Sequence, residues 1–169
     1  MSHPLLPMPE RTEESDAIYA VLGRALAYAT EFENNCRTLA HLFDIEKSEK
    51  EFSCEVYELV KSGTLHAKIK LLIDENGLPD WVDEKMHEAR KARNFIVHEA
   101  AKDHKRMMST AQLMRSFETT IIQMTGEIAN GNQIVLDVTR MLKEGKRGYG
   151  SDIVAYSFAV ASWISRDNF

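Results

Sequence analysis

The chain has 169 residues, 44% of them hydrophobic, which suits one domain with a real core. A formal net charge of −5 and a pI near 5.7 argue against a protein that coats nucleic acid non-specifically, yet leave room for a local basic site. No apolar run approaches the length needed to cross a bilayer. The N-terminal MSHPLLPMPERTEE lacks the basic-then-apolar order of a secretory signal, and Cys36 and Cys54 have neither metal-type nor redox-type spacing. These features predict a soluble, cytoplasmic protein with reduced thiols and no membrane partner.

In chain order, Pro4, Pro7 and Pro9 mark residues 1–12 as an extended, mobile arm. From Glu13, the residues Ile18, Leu22, Ala25, Ala29, Phe32, Cys36, Leu39 and Phe43 step by four and three, the seam of a long amphipathic helix ending near Asp44 to Lys47. EKSEKEFS connects it to a short helix over Cys54 to Lys61, stopped by Ser62-Gly63. Thr64 is placed to cap the next helix, with Ile69, Leu72 and Ile73 on one face. ENGLPD ends that helix through Gly77 and Pro79, and Asp80 can cap another. In this one, Val82, Met86, Ala89, Arg93, Ile96 and Ala100 repeat the four-three rhythm.

Ser109 or Thr110 opens a long helix through Met114, Phe117, Ile121, Met124 and Ile128, continuing to Val135, Val138 and Leu142, with ANGN at 129–132 as a kink or break. The tail after GKRGYGSD fits either a helix capped by Ser151 or an alternating strand. A helix is favoured, because a lone strand would have nothing to pair with. The pieces predict an all-α, antiparallel bundle of four to six helices over residues 13–145, and a C-terminal segment over 146–169 that packs on it as a helix.

The segment KARNFIVHEA, 91–100, is where pattern and residue disagree. Arg93 occupies a core position of its seam, and a guanidinium there is costly unless it meets an anion, a wet cleft or a partner surface. Asn94 and His98 lie within about 40° of each other around an α-helix, while Arg93 is roughly 140° from His98 and must reach with its long side chain. The plainer reading is a structural ion pair, with Glu31 or Glu33 of the first helix as partner. That reading predicts no open cleft. A metal centre is not expected, since His87 and His98 share a face but stand about three turns apart. No Gly-rich phosphate loop is present, and no cofactor is implied.

RNFIVHEA resembles the Arg-(x4-6)-His motif of the HEPN superfamily (higher eukaryotes and prokaryotes nucleotide-binding), in which a polar residue, often Asn, follows the Arg. Arg93, Asn94 and His98 match those three positions. The frame is similar too: a long first helix, a second helix with Lys68 and Lys70, the motif in the third and a long fourth helix, over about Glu13 to Ile128. The resemblance implies an all-α homodimer pairing through the third-helix region. It further implies a metal-independent endoribonuclease in a toxin–antitoxin or phage-defence setting, with an antitoxin or other neutralising protein as a further partner. Some members lack catalysis and bind a protein partner or a nucleotide instead, which is the alternative.

On that expectation Arg93 and His98 carry the chemistry and Asn94 orients it. Arg90, Lys91, Lys102 and Lys105 hold RNA, and Glu33 supports Arg93. Seven basic residues between Lys85 and Arg106 face only Glu88, Glu99 and Asp103, either a guide strip for RNA or an ordinary solvated face. The chain departs from one branch of the family, in which a tyrosine two residues after the histidine accepts a nucleotide from a partner nucleotidyltransferase. Here that position is Ala100. Glu99, beside the histidine, would repel phosphate if it faced the cleft.

Overall fold

The computed structural model of the chain describes residues 8–43, 52–72, 78–144 and 153–165. Among these, every regular element is helical: α1 (Glu13–Leu42), α2 (Phe52–Lys61), α3 (Thr64–Leu72), α4 (Trp81–Asn94), α5 (His104–Met107), α6 (Ala111–Glu144) and α7 (Ile153–Ile164). A π-helical turn, Phe95–Glu99, prolongs α4. The count exceeds the expected four to six because the link between α4 and α6 holds the one-turn helix α5. Pro4, Pro7, Ile73, Gly77 and Ser151, and the boundary at 145–146, lie outside the described residues.

Local chemistry explains most helix starts. Thr12 Oγ1 accepts the Ser15 N–H at 3.1 Å while Ser15 Oγ accepts the Thr12 N–H at 2.9 Å, a reciprocal capping box. Gly63, at φ +72°, turns the chain between α2 and α3, and its carbonyl accepts the first α3 bond from Ala67 N–H, so the cap falls there rather than at Thr64. Asp80 stands at the start of α4 but its side chain makes no capping bond. Thr110 Oγ1 accepts the Leu113 N–H at 3.2 Å and opens α6.

The seams sort as their spacing predicts. On α1, Ile18, Ala25, Ala29, Phe32, Cys36, Leu39 and Phe43 are buried; on α4 and its π-turn, Val82, Met86, Ala89 and Ile96 are. Each large apolar side chain removed from water in this way contributes about 1.5–3 kcal/mol before entropy is set against it. α6 is the hub, packing on α1, α4 and α7, while α2 wedges between α1 and α4. Successive long helices alternate in direction. Glu33 meets Arg93 while Tyr19 meets His104, so α4 runs against α1. Arg24 reaches the Ile164 carbonyl while Tyr28 meets Tyr156, so α7 does too. Alternation leaves α1 and α6 running the same way. Thr12 and Met114 border one hollow, and Asn35 bonds Asn132 further along.

One expectation about α6 is corrected. ANGN does not break it; the helix runs through 129–132, and Gly131 sits where a Cβ would strike the Cβ of Ala89 on α4. That glycine serves close helix approach, not a stop. Beside it, Asn132 is fully buried and ties three helices together: its Nδ2 donates to Tyr28 Oη at 3.0 Å and Tyr156 Oη at 3.2 Å, and its Oδ1 accepts from Asn35 at 2.9 Å. Tyr28 also donates to Tyr156 at 2.8 Å. Burial, then the bond to Tyr156, pushes the Tyr28 phenol far above its ordinary range. The network fastens α7 to the bundle.

Candidate functional site

The motif helix delivers its residues through an unusual turn. Up to Asn94 the backbone is α-helical, so Arg93 follows Ala89 by one turn and points into the bundle with it. At Phe95 the hydrogen bonding widens: the Ala100 N–H donates to the Phe95 carbonyl, five residues back, at 2.9 Å. Such a turn absorbs one extra residue, so position i+5 comes to rest over position i. That closes the separation of roughly 140° which a straight α-helix would impose on Arg93 and His98. Arg93 Nη1 lies 3.5 Å from His98 Nε2 and donates to Asn94 Oδ1 at 3.1 Å. The backbone, more than the reach of the arginine, brings the three together.

The other edge of the guanidinium faces α1. Arg93 Nε is 3.2 Å from Glu33 Oε2, and both side chains are 11% exposed. The approach is off-line for a hydrogen bond, so the contact is coulombic. Glu33 Oε1 accepts the Phe52 N–H at 2.7 Å, so the same carboxylate completes the N-terminus of α2 from a neighbouring helix. Phe52 is held in turn under the Arg37 guanidinium, 4.8 Å from its ring centre. Glu31, the other candidate partner, is exposed. The arginine is thus gripped on its Nε edge and presents Nη1 to the exposed His98.

For Nη1 to donate, His98 Nε2 must carry the lone pair, which places the ring proton on Nδ1. An imidazole whose Nε2 lone pair lies beside a held cation can accept a proton when that cation turns to an anionic oxygen, and in its protonated form can return one. The arrangement can also orient an anionic oxygen against the Nη edge.

The expected RNA-binding residues divide. Lys91 is exposed on α4. Lys102 is paired with Glu99 at 2.7 Å, which turns the Glu99 carboxylate along the surface toward the lysine. Arg106 pairs with Asp103 at 3.2 Å and Lys85 with Glu88 at 2.7 Å. Lys105 borders a hollow with Thr12, Ser15 and Thr110 at the starts of α1 and α6, apart from the motif. Arg90 lies over the Tyr57 ring at 5.1 Å. The strip is therefore less positive than its composition suggests, because three of its seven cations have an acidic partner one turn away.

Ala100 is 1% exposed, so the position two residues after His98 faces the core, where an acceptor hydroxyl would have no exit. Among the described residues no group of three or more His, Cys, Asp or Glu side chains could hold a metal ion, and no helix is long and apolar enough to cross a membrane. Neither the Asn132 network nor the π-turn is visible in the spacing of residues; an asparagine inside a largely apolar stretch was the available hint for the first. No family model matches the chain, and no curated protein or solved structure matches it either.

Proposed function

We propose that this chain is a metal-independent endoribonuclease of the Arg-(x4-6)-His type, working as a homodimer in which the motif turns of two copies face one cleft. The observation that carries the reading is the π-turn at Phe95–Glu99, which sets Arg93 Nη1 against His98 Nε2 and Asn94 Oδ1. Irregular turns of this kind cost helix hydrogen bonding and occur mostly where a side chain must be aimed.

In the proposed reaction His98 Nε2 takes the proton of a ribose 2′-OH. The 2′-oxygen then forms its bond to the adjacent phosphorus as the bond to the 5′-oxygen breaks, and His98 of the partner subunit protonates that leaving oxygen. The products are a 2′,3′-cyclic phosphate and a 5′-hydroxyl. Arg93 places its Nη edge on the non-bridging oxygens as charge gathers there, and Asn94 fixes the guanidinium. One chain supplies one motif histidine, so acid and base together require two copies. In the setting the resemblance implies, the enzyme is a toxin or phage-defence effector held in check by a neutralising protein.

The test is incubation of pure protein with RNA in EDTA, beside Arg93→Ala and His98→Ala. Cleavage that survives chelation, leaves cyclic phosphate ends and disappears in both variants supports the reading. Equal behaviour of all three proteins removes it, and a monomer at assay concentration by sedimentation removes the two-copy site. A second reading, a silent bundle that binds a protein partner or a nucleotide, is favoured by one observation: Glu33 neutralises Arg93 and leaves its side chain only 11% exposed. It predicts no cleavage by any of the three.

A further inference from the structure

The π-turn leaves one stripe of the motif helix unaccounted for. His87, Arg90 and Asn94 repeat at three and four residues on α4, and the stripe ends beside the turn that carries His98. Where this stripe meets α2, Tyr57 acts as a platform: the Arg90 guanidinium carbon is 5.1 Å from its ring centre, the Lys61 ammonium 5.8 Å, and the His87 ring 5.1 Å. Arg90 Nη2 is also 3.4 Å from His87 Nδ1. Two cations and an imidazole therefore share one buried phenol ring, with Tyr57 itself 8% exposed.

The cluster lacks the anion that such groups usually find. Among the described residues, Arg90 and Lys61 form no ion pair with a carboxylate, unlike Lys85, Lys102 and Arg106 on neighbouring turns. The Arg90 Nε is buried and has no hydrogen-bond partner. Like charges held around one ring repel each other, and cation–π contact offsets only part of that cost. A phosphate between Arg90 and Lys61 would relieve the repulsion. The planar guanidinium, held 5.1 Å from the tyrosine ring centre, would meet it with its Nη edge.

We infer that Arg90, Lys61 and His87, arranged around Tyr57, form a phosphate-binding subsite that holds the backbone of single-stranded RNA upstream or downstream of the Arg93–His98 centre. The identity of the ligand rests on the ribonuclease reading; the anion chemistry does not. Arg90 and His98 are eight positions apart, ~12 Å along a helix axis. At a rise of ~3.4 Å per stacked nucleotide, that is three to four nucleotides. The subsite therefore grips a flanking phosphate, not the scissile one.

Binding is measured in a His98→Ala background, so that no probe is cleaved, by fluorescence anisotropy with a labelled unstructured RNA across a tenfold salt series. Arg90→Gln and Lys61→Gln are compared with Lys85→Gln, whose lysine is engaged with Glu88. Loss of one phosphate contact lowers the salt slope by about 0.7 and weakens binding about fivefold at the low-salt end. That result for Arg90→Gln and Lys61→Gln, with Lys85→Gln unchanged, supports the subsite. Lys61 is exposed, so its variant reads binding even if Arg90→Gln perturbs folding. Unchanged RNA affinity in both variants overturns the proposal. So does loss of inorganic phosphate competition without loss of RNA affinity, which would make this a free-phosphate site. A parent that binds RNA but never cleaves it leaves the subsite standing and fails the ribonuclease reading alone.

Discussion

Replacing Gly131 by alanine is the sharpest test of how the motif helix is seated. Alanine is the better helix former, and in an open helix interior the change stabilises by about 0.5–1 kcal/mol. At Gly131 the new Cβ would collide with the Cβ of Ala89, with Phe32 at 3.6 Å closing the other side. The obstacle is not a flexible side-chain tip. Ala89 Cβ is fixed to the α4 backbone, so α4 and α6 must part, at the upper end of the ~1–3 kcal/mol that overpacking usually costs. Subtracting the propensity gain leaves about 2 kcal/mol of net loss, or roughly 4–8 °C in Tm for a chain of this size. Gly126, on the same helix, has nothing within 4 Å of its added Cβ and serves as the control. Urea titrations followed by circular dichroism should rank Gly126→Ala above the parent and Gly131→Ala below it. Ala89→Gly should recover part of the loss in the double variant. A Gly131→Ala protein as stable as Gly126→Ala would refute the packing argument. Arg93 lies one turn beyond Ala89, so the same variant should also depress any activity that depends on its aim.

Glu33→Gln and Arg93→Gln should each cost about 2–3 kcal/mol in urea titration, because each strands a nearly buried charge, and the double variant should regain most of it; single variants as stable as the parent would show that the pair does not matter. The acidic side chains between α4 and α6 give a pH test. Burial and then the hydrogen bond that the protonated Glu127 donates to the neighbouring Glu88 raise Glu127 above the usual carboxylate range, while the bond from Lys85 lowers Glu88. A raised acid lends stability that is present below its unfolded pKa and lost as pH rises through its folded value. The lowered Glu88 does the reverse, its contribution disappearing as pH falls. Glu127→Gln should therefore gain stability over the parent as pH rises from mildly acidic to neutral; a difference that does not change with pH would contradict the assignment.

The bundle is legible in the sequence because burial of a helix face writes itself as spacing. Ile18 to Phe43 on α1 and Val82 to Ala100 on α4 announce their inward faces, and the one charged member, Arg93, does point inward and meet Glu33. The π-turn is not legible, for a physical reason. Ile96 and Ala100 are buried with the wider turn in place, and a straight α-helix would also put them on the seam, so the apolar pattern cannot distinguish the two. Gly131 misleads for the opposite reason: glycine marks both helix ends and close helix approach, and only the partner, Ala89, decides between them. Salt bridges one turn apart, such as Lys102–Glu99, are visible as spacing but not as consequence, so the basic strip looks stronger on paper than in space.

That weakening bears on how an acidic chain would attract RNA at all. With a formal charge of −5, long-range attraction is unfavourable, and Arg93 cannot supply it because Glu33 cancels its charge beyond a few ångströms. On the proposed reading the arginine's value is directional: a held fork that would act on a phosphate already in place. Capture must come from cations that lack such a counter-charge among the described residues. Near the motif, Lys91, exposed on α4, and the Arg90–Lys61 pair on Tyr57 are such groups, and all three lie along or beside the stripe leading to His98. Division of labour of this kind makes affinity strongly salt-dependent while leaving the chemistry of the bound complex much less so. Single-turnover cleavage at saturating protein should accordingly change little with salt over a range in which half-saturation moves severalfold; parallel changes in both would mean that capture and catalysis use the same charges.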